Sequence, residues 1–406
     1  MSSIPPFVSL LVVAVFSPGI SASNWPQWRG QGATGVSDET GLVSQWNDRK
    51  NIIWKCSLPG KGNSSPIVWG DHIFLTAEAG RELFVVCIDS KTGKILWQKT
   101  APEGRRSNTH GWNGFASPTP ATDGKRVYAS FQPTGVVAYD FQGNQSWRQA
   151  LGDFESLNSP WGAASSPCID DGKLYTSLDH DGQSFVAALN SGTGKVIWST
   201  QRKFPRGYAS PVLIETDAGR ELVINGHRRV FAYDPDNGKE LWYCWGMMQW
   251  VNPTVVYAHG LVYAVSGRDG PTVAIKPGGK KDVTRSGVIW RASRGAPYIP
   301  SPIVYGDYFY MTNDNGIVTC FDARTGKQQF QGRLGSRGQH SASPAAADGK
   351  IYFLSESGSC TVIQAGPKLE VLSTNQLSGQ LFRASPAISG GRIYIRSQRI
   401  LYCIGK

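Results

Sequence analysis

Eight short Xaa-Pro pairs recur along this chain at intervals of forty-odd residues, and that recurrence leaves few folds open to it. They are Ser65-Pro66, Ser117-Pro118, Ser166-Pro167, Ser210-Pro211, Asn252-Pro253, Ser301-Pro302, Ser343-Pro344 and Ser385-Pro386. Successive prolines lie 52, 49, 44, 42, 49, 42 and 42 residues apart, and each heads a short apolar run. Such a period is that of a four-stranded propeller blade. The sixth repeat shows the internal pattern. Pro302 to Tyr305 reads as a first strand, Tyr308 to Thr312 as a second, Ile317 to Phe321 as a third and Gln328 to Gln331 as a fourth, with Gly and Asn/Asp turns between them. This is a meander of hairpins. Proline at a strand's first position is tolerated, because no ladder bond is needed from it there.

A second signature sits at the turn after the third strand. Asp89, Thr92, Gly93, Lys94 and Trp97 recur as Asn190, Thr193, Gly194, Lys195 and Trp198, and again as Asp234, Asn237, Gly238, Lys239 and Trp242. The second repeat shortens this turn, the sixth places Phe330 where the others have Trp, the fifth keeps only Trp290 and the seventh loses the motif. Asp or Asn bonds the turn backbone, Gly supplies a positive φ, and Trp offers a large face to the next blade.

The eighth repeat stops after three strands, Pro386 to Ile388, Arg392 to Ile395 and Ile400 to Ile404. Ile52-Ile53-Trp54-Lys55 resembles Val288-Ile289-Trp290-Arg291 and has no preceding strands of its own, so it is expected to complete the last blade and close the ring. Closure removes both open edges. The fold expected is an all-β, eight-bladed propeller of four-stranded antiparallel blades spanning residues 51 to 406, behind a leader segment of residues 24 to 50. Of the seven cysteines, Cys87, Cys320 and Cys403 fall where other repeats have Ala138, Ala188, Ala232 and Ala274, which reads as a small buried slot. No two cysteines are adjacent and none forms a C-x-x-C pair, so neither a disulfide framework nor a zinc site is indicated.

Residues 1 to 23 read as a signal peptide. Phe7 to Phe16 is an apolar run too short to span a bilayer, and Ser21, Ala22 and Ser23 offer a cleavage site, although no Lys or Arg precedes the run. A secreted or periplasmic location is expected, with no transmembrane segment in the mature chain. The net charge of +11 is distributed, its longest basic cluster being Lys280-Lys281. It favours acidic partners. No nucleic-acid-binding motif accompanies it, so nucleic acid is not expected as a partner.

With these residues in place, the chain resembles the quinoprotein-type propellers. The recurrent Asp-x-x-Thr-Gly-Lys-x-x-Trp is similar to that family's tryptophan-docking motif, and the resemblance covers roughly residues 50 to 406. The wider superfamily of PQQ-like repeats includes quinoprotein alcohol dehydrogenases and the BamB component of outer-membrane assembly. The leader Trp25-Pro26-Gln27-Trp28-Arg29-Gly30 is similar to that of secreted bacterial PQQ-like repeat proteins. A dehydrogenase resemblance implies PQQ beside a disulfide of adjacent cysteines, a calcium ion held by acidic and amide side chains, and an Asp base. A BamB resemblance implies a protein partner. Such a repeat stabilises blades and does no chemistry itself.

Topology sorts the loops. Connections from each fourth strand to the next first strand share one face with the turns between second and third strands. His110, Trp112, Asn113, Asp179, His180, Arg206, Tyr208, His227, Arg228, Arg268, Arg337 and His340 fall there, with Trp161 at the rim. This Arg-, His- and aromatic-rich face is the expected ligand site, since propellers commonly bind at the mouth of the central channel. Asp179-His180-Asp181 could ligate a metal, although such a turn is more often merely solvated; no metal is assigned. No nucleophile elbow, zinc-protease, Walker or dinucleotide-binding motif stands in a supporting context. The first expectation is therefore a non-enzymatic, monomeric binding propeller without a cofactor, recognising a protein or an anionic polysaccharide. The alternative is a PQQ- and calcium-dependent oxidoreductase acting on alcohols or sugars. A weaker third reading is a polysaccharide-processing enzyme.

Overall fold

The computed structural model describes residues 24–103, 109–131, 134–152, 161–336 and 338–406; the expected signal peptide and Arg337 lie outside them. Apart from one short 3-10 turn at Gln31–Ala33, every regular element among the described residues is a strand. The strands form eight sheets. The first blade runs Ile67–Trp69, His72–Ala79, Glu82–Asp89 and Ile95–Thr100, each strand antiparallel to the one before. The others repeat this order, giving the expected eight-bladed propeller. Ile52–Ser57 completes the last blade by pairing with Ile400–Ile404, Trp54 standing opposite Cys403. The fourth blade gains a short parallel fifth strand, Lys281–Asp282, beside Trp242 and Tyr243.

A closed circle of hydrogen bonds joins the blades at the axis. The N–H of Ser65 donates to the Thr119 hydroxyl (2.8 Å), Thr119 to Ser166 (2.9 Å), Ser166 to Ser210 (2.9 Å) and Ser210 to Thr254 (2.9 Å). Thr254 donates to Ser301 (2.9 Å), Ser301 to Ser343 (2.9 Å), Ser343 to Ser385 (3.0 Å), and Ser385 back to Ser65 (2.9 Å). The circle corrects the sequence register in two blades. Its members there are Thr119 and Thr254, two residues beyond Ser117 and Asn252. What recurs is thus a hydroxyl residue at the head of the inner strand; the following proline is replaced by Val255 in the fifth blade. Steps around the circle become 54, 47, 44, 44, 47, 42 and 42 residues.

Outer-strand indoles join the blades farther from the axis. Trp54, Trp97, Trp147, Trp198 and Trp290 each donate an indole N–H to a carbonyl of the next blade's turn: Ser90, Phe141, Ser191, Pro235 and Ala323, at 2.8 to 3.1 Å. The ring then covers that turn's glycine. A Cβ added to Gly93, Gly194, Gly238 or Gly326 would lie only 2.3 to 2.6 Å from an indole carbon. Each aromatic side chain also needs a small residue across the ladder. Cys87 faces Trp97, Ala138 faces Trp147, Ala188 faces Trp198, Ala274 faces Trp290, Cys320 faces Phe330 and Cys403 faces Trp54. All six small residues are fully buried. The register shifts immediately beyond each pair, and such a bulge re-aims a side chain. All seven cysteines are buried and unpaired. Burial raises the Cys87 thiol to about 12, so it stays protonated and unreactive.

The seventh blade places Ser373 opposite Val362, with no indole of its own. Trp46 of the leader fills that place, stacked on Tyr352 at 6.1 Å with its backbone N–H on Asn375 Oδ1 (2.8 Å). In the fourth blade Trp242 turns instead to Glu221 Oε2 (2.7 Å), because the fifth blade lacks the glycine turn. Earlier leader residues cross the far end of the axis. Trp25 pairs with Val68, Pro26 accepts from the Thr122 N–H (2.8 Å) and Gln27 from that of Ile169 (3.1 Å). Val36 then pairs beside Ala346, and the Glu39 carboxylate accepts from Gly390 and Gly391 (2.7 Å each).

The indole–glycine contact predicts an unequal response to one added methyl group. Gly238 and Gly306 both have positive φ, but only Gly238 would carry its Cβ into an indole, whereas Gly306 faces open space. Gly306→Ala should cost about 1 kcal/mol for the left-handed backbone. Gly238→Ala should cost about 1–3 kcal/mol more through overpacking. Equal losses in denaturant unfolding would show that this contact contributes nothing.

Candidate functional site

Because every outer strand returns to an inner strand on the same face, eight connections converge at one mouth. They enclose a cavity of about 1190 Å³. Seven members of the hydroxyl circle line it, all except Ser301, and leader residue Trp28 lines it as well. Its walls carry Trp112, Trp161, Tyr208, Trp245, Trp250 and Tyr298. Four guanidinium groups, Arg206, Arg228, Arg268 and Arg383, line it, and among the described residues a single carboxylate, Glu356, does so.

Amides tie the aromatic walls to the blades. Asn63 donates to the Trp112 carbonyl (3.2 Å), Asn113 to that of Trp161 (2.6 Å) and Asn252 to that of Tyr298 (3.0 Å). Asn63 and Asn252 both stand two residues before a member of the circle, so the fifth-blade Asn-Pro pair serves the wall. Two of the arginines are committed. Arg383 grips Glu356 with Nε and Nη2 (3.1 and 3.3 Å) and donates through Nη1 to the carbonyls of Gly111 and Trp112 (3.3 Å each). The Ser341 hydroxyl bonds the same carboxylate. Arg206 pairs with Asp181 at 2.9 Å and lies 5.9 Å from the Trp250 ring centre. The other two arginines form no ion pair among the described residues. Arg268 lies over Tyr298 at 4.6 Å. Arg228, at φ 63°, accepts from the N–H groups of Gly246 and Met247 through its carbonyl, which knits the Trp245–Trp250 connection to its hairpin.

Of the twelve residues expected on this face, Trp112, Asn113, Arg206, Tyr208, Arg228 and Arg268 line the cavity. His110 stacks on Trp161 at 3.9 Å and supports the wall. Asp179 is buried and receives both Nε and Nη2 of Arg202 (2.8 and 3.0 Å), while Asp181 holds Arg206. Ion pairs therefore hold both carboxylates of the turn, Asp179 through both oxygens and Asp181 through Oδ1. His180 is buried over its own turn, its Nε2 3.1 Å from the Gln183 carbonyl. His227 and His340 are not cavity residues, and Arg337 is outside the described residues. Sequence reasoning missed Trp28, Trp245, Met248, Trp250, Tyr298, Glu356 and Arg383. One signal was available: Trp245-Gly246-Met247-Met248-Gln249-Trp250 is an apolar run at a strand-to-strand connection, where polar residues are the rule.

The dehydrogenase resemblance implies PQQ and calcium, which make different demands on the donor set. Arg228, Arg268 and the indoles suit a flat anion such as PQQ. Calcium requires six or more oxygen ligands. Both oxygens of Glu356 are already bonded by Arg383 and Ser341, and no three His, Cys, Asp or Glu side chains gather at one point among the described residues. Every cysteine is single and buried within its own strand or inner-strand head. The residues present do not fit the metal or the disulfide.

His340 gives the site's surroundings a pH response. It is buried beneath Gly316, its Nε2 3.0 Å from the Ser336 hydroxyl, and burial pushes its pKa down to about 4. The unfolded chain protonates this imidazole near pH 6.5, the folded chain only near pH 4. Stability from neutral His340 is therefore complete above pH 6.5 and falls progressively toward pH 4, by about 3 kcal/mol over the window. Asp314, its carboxyl raised by burial, acts in the opposite sense as the pH falls. His340→Gln should flatten the decline in unfolding free energy between pH 7 and 4.5; an unchanged slope would assign the decline to other groups.

The family model described as outer membrane protein assembly factor BamB matches residues 26–183, 81–331 and 182–406. A polyvinylalcohol dehydrogenase of a Pseudomonas species is 26% identical over 271 residues, 61% of this chain and 37% of the relative. The BamB of Shewanella oneidensis is 23% identical over 338 residues, 81% of this chain and 68% of its own length. The chain spans 37% and 47% of the two polyvinylalcohol dehydrogenases it matches. Among solved structures, BamB of Moraxella catarrhalis superposes with a TM-score of 0.65 at 14% identity, covering 87% of this chain and 97% of that one. The quinohemoprotein alcohol dehydrogenase of Comamonas testosteroni gives 0.72 at 12% identity, covering 95% and 81%. At these identities the structures share the fold, and the family match across residues 26 to 406 carries the assignment: this chain belongs to the BamB family of PQQ-like repeat propellers.

Proposed function

We propose that the chain is a non-enzymatic binding propeller of the periplasm or cell exterior, whose cavity takes a carbohydrate segment bearing carboxylate or sulfate groups. One observation carries this reading. Among the described residues, Arg228 and Arg268 stand at an aromatic-walled cavity without an ion-pair partner, while the cavity carboxylate Glu356 is neutralised by Arg383. A guanidinium beside an aromatic face suits an acidic sugar: the ring stacks on the indole, and the anion meets a planar fork of donors. Trp112, Trp245 and Trp250 remain 39 to 46% exposed, available for such stacking.

A protein partner is the second reading. The family's name supports it, and so does Met248, which is 48% exposed among these indoles; flexible Met and rigid Trp are common at protein-binding surfaces. The oxidoreductase alternative lacks a calcium site and a cysteine pair among the described residues, and calorimetric titration with PQQ, with and without calcium, tests it independently.

The carbohydrate reading predicts a charge-selective titration. Oligogalacturonate or a chondroitin sulfate fragment should bind, and neutral cello-oligosaccharide of equal length should bind at least about tenfold more weakly, a difference of about 1.4 kcal/mol. Arg228→Ala with Arg268→Ala should erase that selectivity and most of the salt dependence, leaving the fold intact. Equal affinity for the neutral sugar, or an unchanged double variant, would sink the proposal.

A further inference from the structure

Resting on the carbohydrate reading above, we infer that the cavity receives the end of a glycan chain and not its middle, the terminal residue sitting inside the hydroxyl circle above Trp28. The first reason is that leader residues cross the far end of the axis. Trp25, Pro26 and Gln27 are bonded to the inner strands of the first three blades, and Val36 to that of the seventh. Trp28, between those anchors, is the leader residue that lines the cavity. Arg29 is buried with its Nη2 on the Thr34 carbonyl (3.0 Å), and a Cβ at Gly35 would meet that guanidinium at 2.7 Å, so the crossing is packed tightly. A polymer threaded through the axis would have to displace this segment.

The second reason is the chemistry of the circle. Its eight side chains are each more than nine-tenths buried. Each hydroxyl oxygen accepts one backbone N–H from the neighbouring blade. A hydroxyl both accepts and donates. The circle's own bonds leave every O–H proton unused, and no acceptor meets these protons among the described residues. Seven of these donors line the cavity, and none of the seven bonds a carboxylate among the described residues. A ring of buried donors over an indole matches a sugar residue rimmed with oxygen acceptors and presenting an apolar face to Trp28.

The third reason is the order of features along the axis. The unpaired guanidinium groups of Arg228 and Arg268 belong to turns at the mouth, whereas the hydroxyls head the inner strands. A chain entering end-on therefore places its terminal residue among neutral donors and the acidic groups of following residues at the arginines. The volume of about 1190 Å³ exceeds the ~300–1,000 Å³ of ordinary small-molecule pockets, so a short run of residues can follow the terminus.

The test is stoichiometry against length. The full mature chain is titrated calorimetrically with a short oligogalacturonate and with a long polygalacturonate, each at known molar chain concentration. End recognition requires one protein bound per glycan chain at both lengths, with equal affinity per chain. A number of bound proteins that rises with polymer length overturns the inference while leaving charge-selective binding standing. Absence of binding at either length overturns the carbohydrate reading and this inference together. Ser210→Ala should weaken both titrations about tenfold, while Ser210→Thr, which keeps the hydroxyl as Thr254 does naturally, should bind as the parent. Trp28→Ala should weaken both lengths alike, and thermal melting of each variant separates lost binding from lost fold. Full affinity in both Ser210→Ala and Trp28→Ala would likewise overturn the proposed seat.

Discussion

Eight sheets arranged about an axis are held in place only if each meets its neighbours at a fixed angle and the last meets the first. The circle of N–H-to-hydroxyl bonds imposes that condition at the axis. Each bond is local to two blades, but the return from Ser385 to Ser65 makes the eight interdependent. A buried N–H left without a partner costs about 1–3 kcal/mol. The hydroxyl at the head of each inner strand is thus dictated by a backbone donor in the preceding blade. That explains why Thr replaces Ser freely at Thr119 and Thr254 while no member of the circle lacks a hydroxyl.

The indole contacts apply the same logic at larger radius, and there the ring tolerates exceptions. An indole over a glycine turn needs three compatible residues: the indole, a glycine in the next blade, and a small residue across the ladder. Where the seventh blade abandons the indole, its small slot widens to Val362 and the leader inserts Trp46 against Tyr352. The same leader then becomes the outer strand that closes the eighth blade. One segment therefore seals the far end of the axis, repairs the seventh blade and completes the eighth. The third task uses the buried Glu39, whose carboxylate bonds the eighth blade at Gly390 and Gly391.

Most of this architecture was legible in the sequence because blade structure is periodic and local. The strands of the sixth repeat, the closing strand Ile52–Ser57 and the small buried slot at Cys87, Cys320 and Cys403 all follow from spacing and residue type. The register failed at Ser117 and Asn252 because proline was followed, while the structure selects the hydroxyl. Thr254 has no proline after it, and Ser117 is followed by a second candidate, Thr119-Pro120. The mouth was only half legible for a related reason. Topology says which loops share a face, but not which side chains turn inward. Asp179 satisfies Arg202 inside the fold, and His340 lies beneath Gly316, since burial of a charge or ring is settled by neighbours distant in sequence. Trp28 was least accessible, because only the crossing of the leader brings it to the axis.

The charge of the mouth differs from the charge of the chain. A net charge of +11 describes a general preference for anions at long range, screened within about 8 Å at physiological salt. Specific recognition depends on which guanidinium groups are already satisfied. Arg202 and Arg206 are held by Asp179 and Asp181, and Arg383 by Glu356, so three cations act as braces for the turns and connections around the cavity. These braces set the positions of Trp112 and Trp250, the one through its carbonyl and the other across its ring. Arg228 and Arg268 are left as the charges a ligand can neutralise. Bracing with paired arginines and recognising with unpaired ones gives a rigid mouth with a small, localised demand for anions, and the neutral hydroxyl floor beneath it adds donors without adding charge.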